Sequence, residues 1–192
     1  PEYSDYFEQF VSCGFKDLVY KTRFLFESSR GCWWGQKHHC VFCGLNGGNM
    51  SFRSKSANRV LEELVYLNKK YNQYTLKATA VDNIIDMNYF KSLLPSLKQE
   101  EINLDMFYET KANIKKHQIA LFKEANFSTI QPGIESLQSS VLKLMNKGIT
   151  MLQNIQLLKW SKEYGVVPLW NILYGFPGEN QEEYVNIHQL ML

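Results

Sequence analysis

Five apolar runs rich in aromatic and β-branched residues alternate along this chain with stretches of helical spacing. The runs fall at 23–27, 74–81, 101–108, 128–134 and 166–173. Helical patterns occupy the intervals, starting near Ser56, Asn88, Lys115, Ser139 and Thr150, with a last one from about Gln181. Ser56 and Asn88 read as N-caps. Residues 1–20 read as a short leading helix, with Tyr6, Phe7, Phe10 and Val11 on one face. Strands separated by helices predict βα units, right-handed crossovers and a parallel sheet, an α/β fold. In such folds the site gathers at the carboxyl ends of the strands. Every polar or Gly-rich feature lies there: a cysteine loop after the first strand, Asp82 after the second, Glu109 after the third, Glu135 after the fourth, and Gly175 and Glu179 after the fifth.

Charge and composition narrow the function. A net charge of +2 provides no strong basic field and argues against a nucleic-acid partner. No apolar run approaches the roughly 18 residues of a membrane helix, and no signal-peptide pattern is present. Of the four cysteines, three share one loop, which is not the framework of a disulfide-rich secreted domain. A reducing cytoplasm is the expected compartment. The chain opens at Pro1 and stops within a helical pattern (Tyr184, Ile187, His188, Leu190, Met191), as a piece of a longer protein would. Beyond the βα unit no repeat of 20–50 residues is visible.

The cysteine loop carries the chemistry. Cys32, Cys40 and Cys43 are spaced C-x7-C-x2-C, among Gly31, Gly35, Gly44 and the turn-rich 44–48. Iron–sulfur clusters are held by Cys thiolates, four of them closing a four-iron cluster. Three leave one iron without a protein ligand, free to hold a small molecule. The alternative is a zinc site with His38 or His39 as fourth ligand, although structural zinc prefers two short-spaced pairs. Trp33 and Trp34 either cover the cluster or pack against helices. Cys13 reads as a buried thiol on the first helix. Arg53 and Lys55 read as a solvated loop or as groups facing a substrate or phosphate. His117 and His188 read as surface or packing residues, and Leu142, Leu144, Met145 and 155–158 as core.

From about residue 20 to 192 the chain resembles the radical S-adenosylmethionine (SAM) superfamily. Three Cys after the first strand, with an aromatic residue, Phe42, before the third, are the superfamily's signature. Its usual spacing is C-x3-C-x2-C, so this loop is longer. The strings Ser28-Ser29-Arg30-Gly31-Cys32-Trp33-Trp34-Gly35 and His38-His39-Cys40-Val41-Phe42-Cys43-Gly44 look like the ribosomal-peptide maturation members, of the cobalamin-binding type. Gly133-Ile134-Glu135-Ser136, Leu144-Met145-Asn146-Lys147-Gly148 and Tyr174-Gly175-Phe176-Pro177-Gly178-Glu179 look like the superfamily's fourth- and fifth-strand motifs.

The resemblance implies a partial, open TIM-like barrel, truncated before a sixth strand. It implies a lead-in over 1–20 from a missing, cobalamin-binding domain and a core over 21–192. Cys32, Cys40 and Cys43 would hold a [4Fe–4S] cluster whose open iron binds SAM, cleaved to a 5′-deoxyadenosyl radical. Phe42 would lie near the adenine and Glu109 would pair with the SAM amino group. Glu135 and Asn171 would contact the ribose, and Lys147 the carboxylate. Asp82 stands where the superfamily has a Gly-Gly-Glu turn. No Asp-x-His-x-x-Gly string occurs, so any cobalamin would bind a domain this chain lacks. The implied activity is modification of a ribosomally made precursor peptide, including C-methylation, with a flavodoxin- or ferredoxin-type reductant. The alternatives are a radical SAM enzyme of tRNA or a small metabolite, and a zinc-binding interaction module.

Overall fold

A computed structural model describes residues 1–44, 50–100 and 102–191. Its centre is a five-stranded, all-parallel open sheet: β1 (Phe24–Phe26), β4 (Lys77–Ala80), β5 (Asp105–Lys111), β6 (Thr129–Gly133) and β7 (Val167–Pro168), adjacent in that order. A two-stranded antiparallel pair, β2 (Ser29–Arg30) and β3 (Arg53–Ser54), flanks the cysteine loop. Helices α2 (Ala57–Tyr71), α3 (Leu93–Gln99), α4 (Lys116–Glu124), and α5 with α6 (Ser139–Leu144 and Met151–Tyr164) form the crossovers; α1 (Ser4–Phe10) leads in and α7 (Gln181–Met191) ends the chain. This is the α/β architecture of a partial TIM-like barrel.

Side-chain alternation along the strands separates two faces. Phe24, Phe26, Ala78, Ala80, Met106, Tyr108 and Ile130 are buried in the hydrophobic core beneath the helices. The opposite face carries Thr79, Phe107, Glu109 and Gln131, and stays partly open, with Leu25, Val167 and Leu169 about half exposed. Such alternation is unusual for a parallel sheet covered on both sides and fits one whose inner face lines a cavity. The helices meet the outer face with apolar stripes. In α2, Val60, Leu64, Leu67 and Tyr71 recur at 3.6-residue spacing and are buried, each contributing about 2 kcal/mol by burial. Ser56 caps α2 as the sequence predicts, accepting the Arg59 N–H, and Thr150 with Gln153 forms a capping box on α6.

Several boundaries differ from the sequence reading. The leading helix stops at Phe10; a wide turn at Val11–Phe15 holds Gly14 at φ 85°, and a 3-10 turn follows. Cys13 lies in that turn and is exposed, not buried. Asp86, not Asn88, caps the next segment by accepting the Asn88 N–H, because a 3-10 turn (Met87–Phe90) precedes α3. The third strand runs past Glu109 to Lys111; Glu101, where it was expected to start, lies outside the described residues. The fifth strand is short, resuming only as a bridge between Glu135 and Ile172. Pro132 and Pro168 give that ladder two residues without an N–H. Leu144 is exposed, whereas Leu142, Met145 and Leu157 are buried as spacing predicts.

A buried polar knot ties the sheet to the cysteine loop. Asp82 continues the buried parity of Ala78 and Ala80 and is 1% exposed. Its carboxylate accepts the Ser28 N–H (2.8 Å) and the hydroxyls of Ser28 and Ser29. Tyr108 Oη donates to Ser28 Oγ (2.6 Å), and Tyr89 Oη lies within 3.1 Å of the Ser28 carbonyl and 2.9 Å of that of Lys55. These bonds fix where the loop leaves and rejoins the core. Burial pushes the Asp82 carboxyl above its ordinary range, and the serine bonds pull it back. Asp82→Ala, which takes the carboxylate from three buried donors and leaves the Ser28 N–H without its acceptor, is expected to cost about 3 kcal/mol in urea unfolding. Asp82→Asn, retaining an acceptor, is expected to lose less than half of that.

Candidate active site

The loop leaves β2 through Gly31, at φ 76°, where an added Cβ would fall 2.2 Å from the Ser51 carbonyl oxygen. Only glycine permits this closeness and this backbone angle together. A helical turn follows: Gln36 N–H donates to the Cys32 carbonyl and His38 N–H to that of Trp34. Cys43 N–H bonds back to the Cys40 carbonyl (3.0 Å), closing the C-x2-C turn. The Gly-rich 45–48 lies outside the described residues.

The four residues by which this loop exceeds the usual spacing give it an anchor. Trp34 Nε1 donates to the Asn146 carbonyl (3.1 Å), and Asn146 Nδ2 donates to the carbonyls of His38 and His39. Val41 N–H bonds to the Met145 carbonyl (3.2 Å). The Trp34 ring occupies the space a Cβ on Gly148 would need, 2.0 Å away. The loop is thereby docked on the turn that carries Lys147. Trp33 instead donates to the Ile85 carbonyl (3.0 Å), so Trp34 covers the cavity and Trp33 packs.

Cys32, Cys40 and Cys43 open into one cavity at the carboxyl rim of the sheet. Phe42, Glu109, Glu135, Lys147 and Asn171 share it, as the resemblance implies; Asp82 does not. Asp82 was expected as a cofactor contact, but its parity turns it to the core, where serines occupy its oxygens. Arg53 stays exposed and Lys55 pairs with Glu63 at 2.7 Å. Glu179 accepts the Phe176 N–H (2.9 Å) and steadies the Tyr174–Glu179 turn rather than entering the cavity. Lys111, Gln131 and Trp170 line the cavity and had not been singled out. For Lys111 a signal existed, since it lies two residues beyond Glu109 on the same strand face.

Charge is concentrated here. Lys147 Nζ pairs with Glu135 at 2.9 Å and stands 5.3 Å from the Phe42 ring centre. Glu135 sits at φ 61°, an uncommon angle for a non-glycine residue, which marks a constrained position. Burial, with Asp82 and Glu135 nearby, pushes the Glu109 carboxyl above its ordinary range. Lys111 is pulled down to about 8, first by burial, then by Lys147, with the thiols of Cys40 and Cys32 opposing. The Cys40 thiol is pushed up by burial, while Lys147 and Lys111 favour its thiolate.

The donor set fits an iron–sulfur cluster. Three thiols face one cavity, and two lysines stand by to offset thiolate charge. Among the described residues, no three His, Cys, Asp or Glu side chains converge as the ligands of one metal ion would. Thiolates of a four-iron cluster need not converge, because each binds a different iron. His38 stacks on Trp34, ring centres 4.2 Å apart, and neither His38 nor His39 lines the cavity.

Comparison with known proteins agrees. The family model of the radical SAM superfamily matches residues 26–191. An uncharacterized methyltransferase of Pyrococcus horikoshii is 32% identical over 161 residues, covering 81% of this chain and 34% of that protein. The chain thus spans about a third of that relative's length. Among solved structures, the radical SAM methyltransferase TsrM from Kitasatospora setae, with tryptophan substrate and a SAM analog bound, superposes with a TM-score of 0.77 at 15% identity, over 91% of this chain and 34% of that one. The cobalamin-dependent radical SAM enzyme OxsB, with aqua-cobalamin and SAM bound, superposes with a TM-score of 0.74 at 18% identity, over 88% and 26%. At these identities the structural likeness shows the fold. Among the described residues no helix is long and apolar enough to cross a membrane.

Proposed function

We propose, since this chain belongs to the radical SAM superfamily, that it is the catalytic core of a methyl-transferring enzyme, with Cys32, Cys40 and Cys43 holding a [4Fe–4S] cluster. The observation that carries this reading is the meeting of three thiols with Glu109, Glu135, Lys111 and Lys147 in one cavity at the strand ends. When bound, the cluster supplies the electron that cleaves a C–S bond of SAM to give a 5′-deoxyadenosyl radical.

The chain's own residues bind, orient and exclude water. Glu109, with no ion-pair partner among the described residues, presents its carboxylate to the SAM amino group. Phe42, held edge-on by Phe176 with ring centres 6.3 Å apart, offers an aromatic face to the adenine. Glu135 and Asn171, which line the same cavity, would contact the ribose, and Trp34 closes the loop side of the cavity. The resemblance points to Lys147 for the carboxylate, and the cavity holds a second cation, Lys111. Residues 1–20 serve as a lead-in from another domain, which would hold any cobalamin. A flavodoxin- or ferredoxin-type protein is the proposed reductant and the cytoplasm the proposed compartment.

For the whole protein we take the substrate to be a ribosomally made peptide, on the likeness of the Ser28–Gly44 string to peptide-maturation enzymes. The supported test is direct. The full-length protein with a precursor peptide, SAM and reductant should add a methyl mass to the peptide; saturable tRNA binding without peptide binding would contradict the substrate class. For the core, Glu109→Gln should weaken SAM binding about 10- to 100-fold, as expected for a lost charge-assisted bond. Protonation removes the same charge. Because the Glu109 pKa is raised, wild-type affinity should fall at a higher pH than an ordinary glutamate would dictate, and Glu109→Gln should flatten that profile in equilibrium dialysis.

A further inference from the structure

We propose that Lys111, presented by the Trp34 ring, is the cation that receives the carboxylate of the bound amino-acid moiety, in place of Lys147. The proposal rests on the SAM reading above and assigns the cation within it.

Among the described residues, four charged side chains line the cavity: Glu109, Lys111, Glu135 and Lys147. Two of them already satisfy each other. Lys147 Nζ lies 2.9 Å from Glu135, with side chains only 12% and 17% exposed. It is also packed back on the sheet, 2.7 Å from where a Cβ on Gly133 would stand. The other two have no ion-pair partner among the described residues. Glu109 makes no side-chain hydrogen bond there either, so its acceptor sites are all available. Lys111 is 5% exposed. Its ammonium lies 3.9 Å from the centre of the Trp34 ring and donates to the Lys147 carbonyl. An ammonium has three donors; one is used by that carbonyl and the π-face takes none of the remainder by a strong bond. A buried cation without an anion is costly, and a ligand anion at this point relieves the cost.

Strand geometry matches the pair to one ligand. Residues two apart on a strand point to the same face, about 7 Å apart. Glu109 and Lys111 stand so on β5, opposite Gln131 and Gly133 of β6. An α-amino acid moiety, with adjacent amino and carboxylate groups, is the ligand that meets both side chains at once, its N–H donating to Glu109 and its carboxylate facing Lys111. Lys147 could serve the same carboxylate only by sharing its charge with Glu135.

The test compares SAM with decarboxylated SAM, which keeps the sulfonium, adenosine and amine. Affinities are measured by equilibrium dialysis on chain reconstituted with iron and sulfide, cluster content being checked by absorbance. Wild type should bind SAM about 10- to 100-fold more tightly than the decarboxylated compound. The open iron and the Lys111 cation both favour the carboxylate, so Lys111→Met should cut the preference about 10-fold, Lys111→Arg should restore much of it, and Lys147→Met should keep it. If Lys111→Met loses the cluster, Lys111→Gln carries the same comparison. A preference undiminished in Lys111→Met or Lys111→Gln, or diminished in Lys147→Met alone, or absent from wild type, overturns the assignment and leaves the SAM site standing. Cluster-bearing wild type that binds neither compound contradicts the SAM reading itself.

Discussion

Cys40→Ala will fold as wild type does but will not hold iron after anaerobic reconstitution. Iron should fall from about four atoms per chain to below about one, and reductive cleavage of SAM should fall to background. Cys40 is half-buried in the loop rather than in the core, so truncating it removes little packing. Its removal leaves two thiolates for a cluster that already uses one fewer than four. Cys32→Ala and Cys43→Ala should behave alike, because all three sulfurs face the same cavity. Cys13→Ser is the internal control. That residue is exposed in the turn after α1, outside the cavity, and its loss should leave iron content unchanged. Iron retained by all three loop variants would mean that the loop is not the ligand set.

Gly31→Ala should be nearly as damaging although it removes no ligand. A left-handed φ costs an ordinary residue roughly 1–2 kcal/mol. Here the added Cβ also meets backbone, 2.2 Å from Ser51 O and 2.8 Å from Ser51 C. A side chain could swing aside; the β2–β3 pair would have to part. The bond from Cys32 N–H to the Met50 carbonyl lies beside that contact and would break with it. A loss of about 3 kcal/mol or more in urea unfolding is expected, with reconstituted iron falling several-fold. Gly44→Ala, with no atom of the described residues beyond its chain neighbours within 4 Å of the added Cβ, should be neutral in both assays.

Much of this was legible in the residues, and the exceptions have physical causes. Alternation of strand and helix was enough to place a parallel sheet, because each run was long enough to show its period. The β2–β3 pair has two residues per strand, too few to show any period. The three cysteines marked a ligand site by count and spacing, and they do line one cavity. What the long spacing does was not readable. It builds a helical turn whose Trp34 docks on Asn146 and Gly148, more than 100 positions away, a contact no local pattern encodes. Asp82 could have been placed correctly. Ala78, Ala80 and Asp82 share one parity, and two alanines on it point to the helix-covered face. The rule that put Asp82 at the rim considered strand ends and not strand faces. The same parity rule, applied to Phe107, Glu109 and Lys111, would have found Lys111. The displaced cap at Asp86 reflects a 3-10 turn, whose capping chemistry resembles that of a helix one turn later.

The central claim is that Cys32, Cys40 and Cys43 hold a four-iron cluster with one iron open to SAM. Anaerobic reconstitution with iron and sulfide, followed by EPR of the reduced chain with and without SAM, tests it most directly. A four-iron signal that shifts on adding SAM is the expected result. A folded chain with intact cysteines that takes up no cluster, or binds zinc without iron or sulfide, would contradict it.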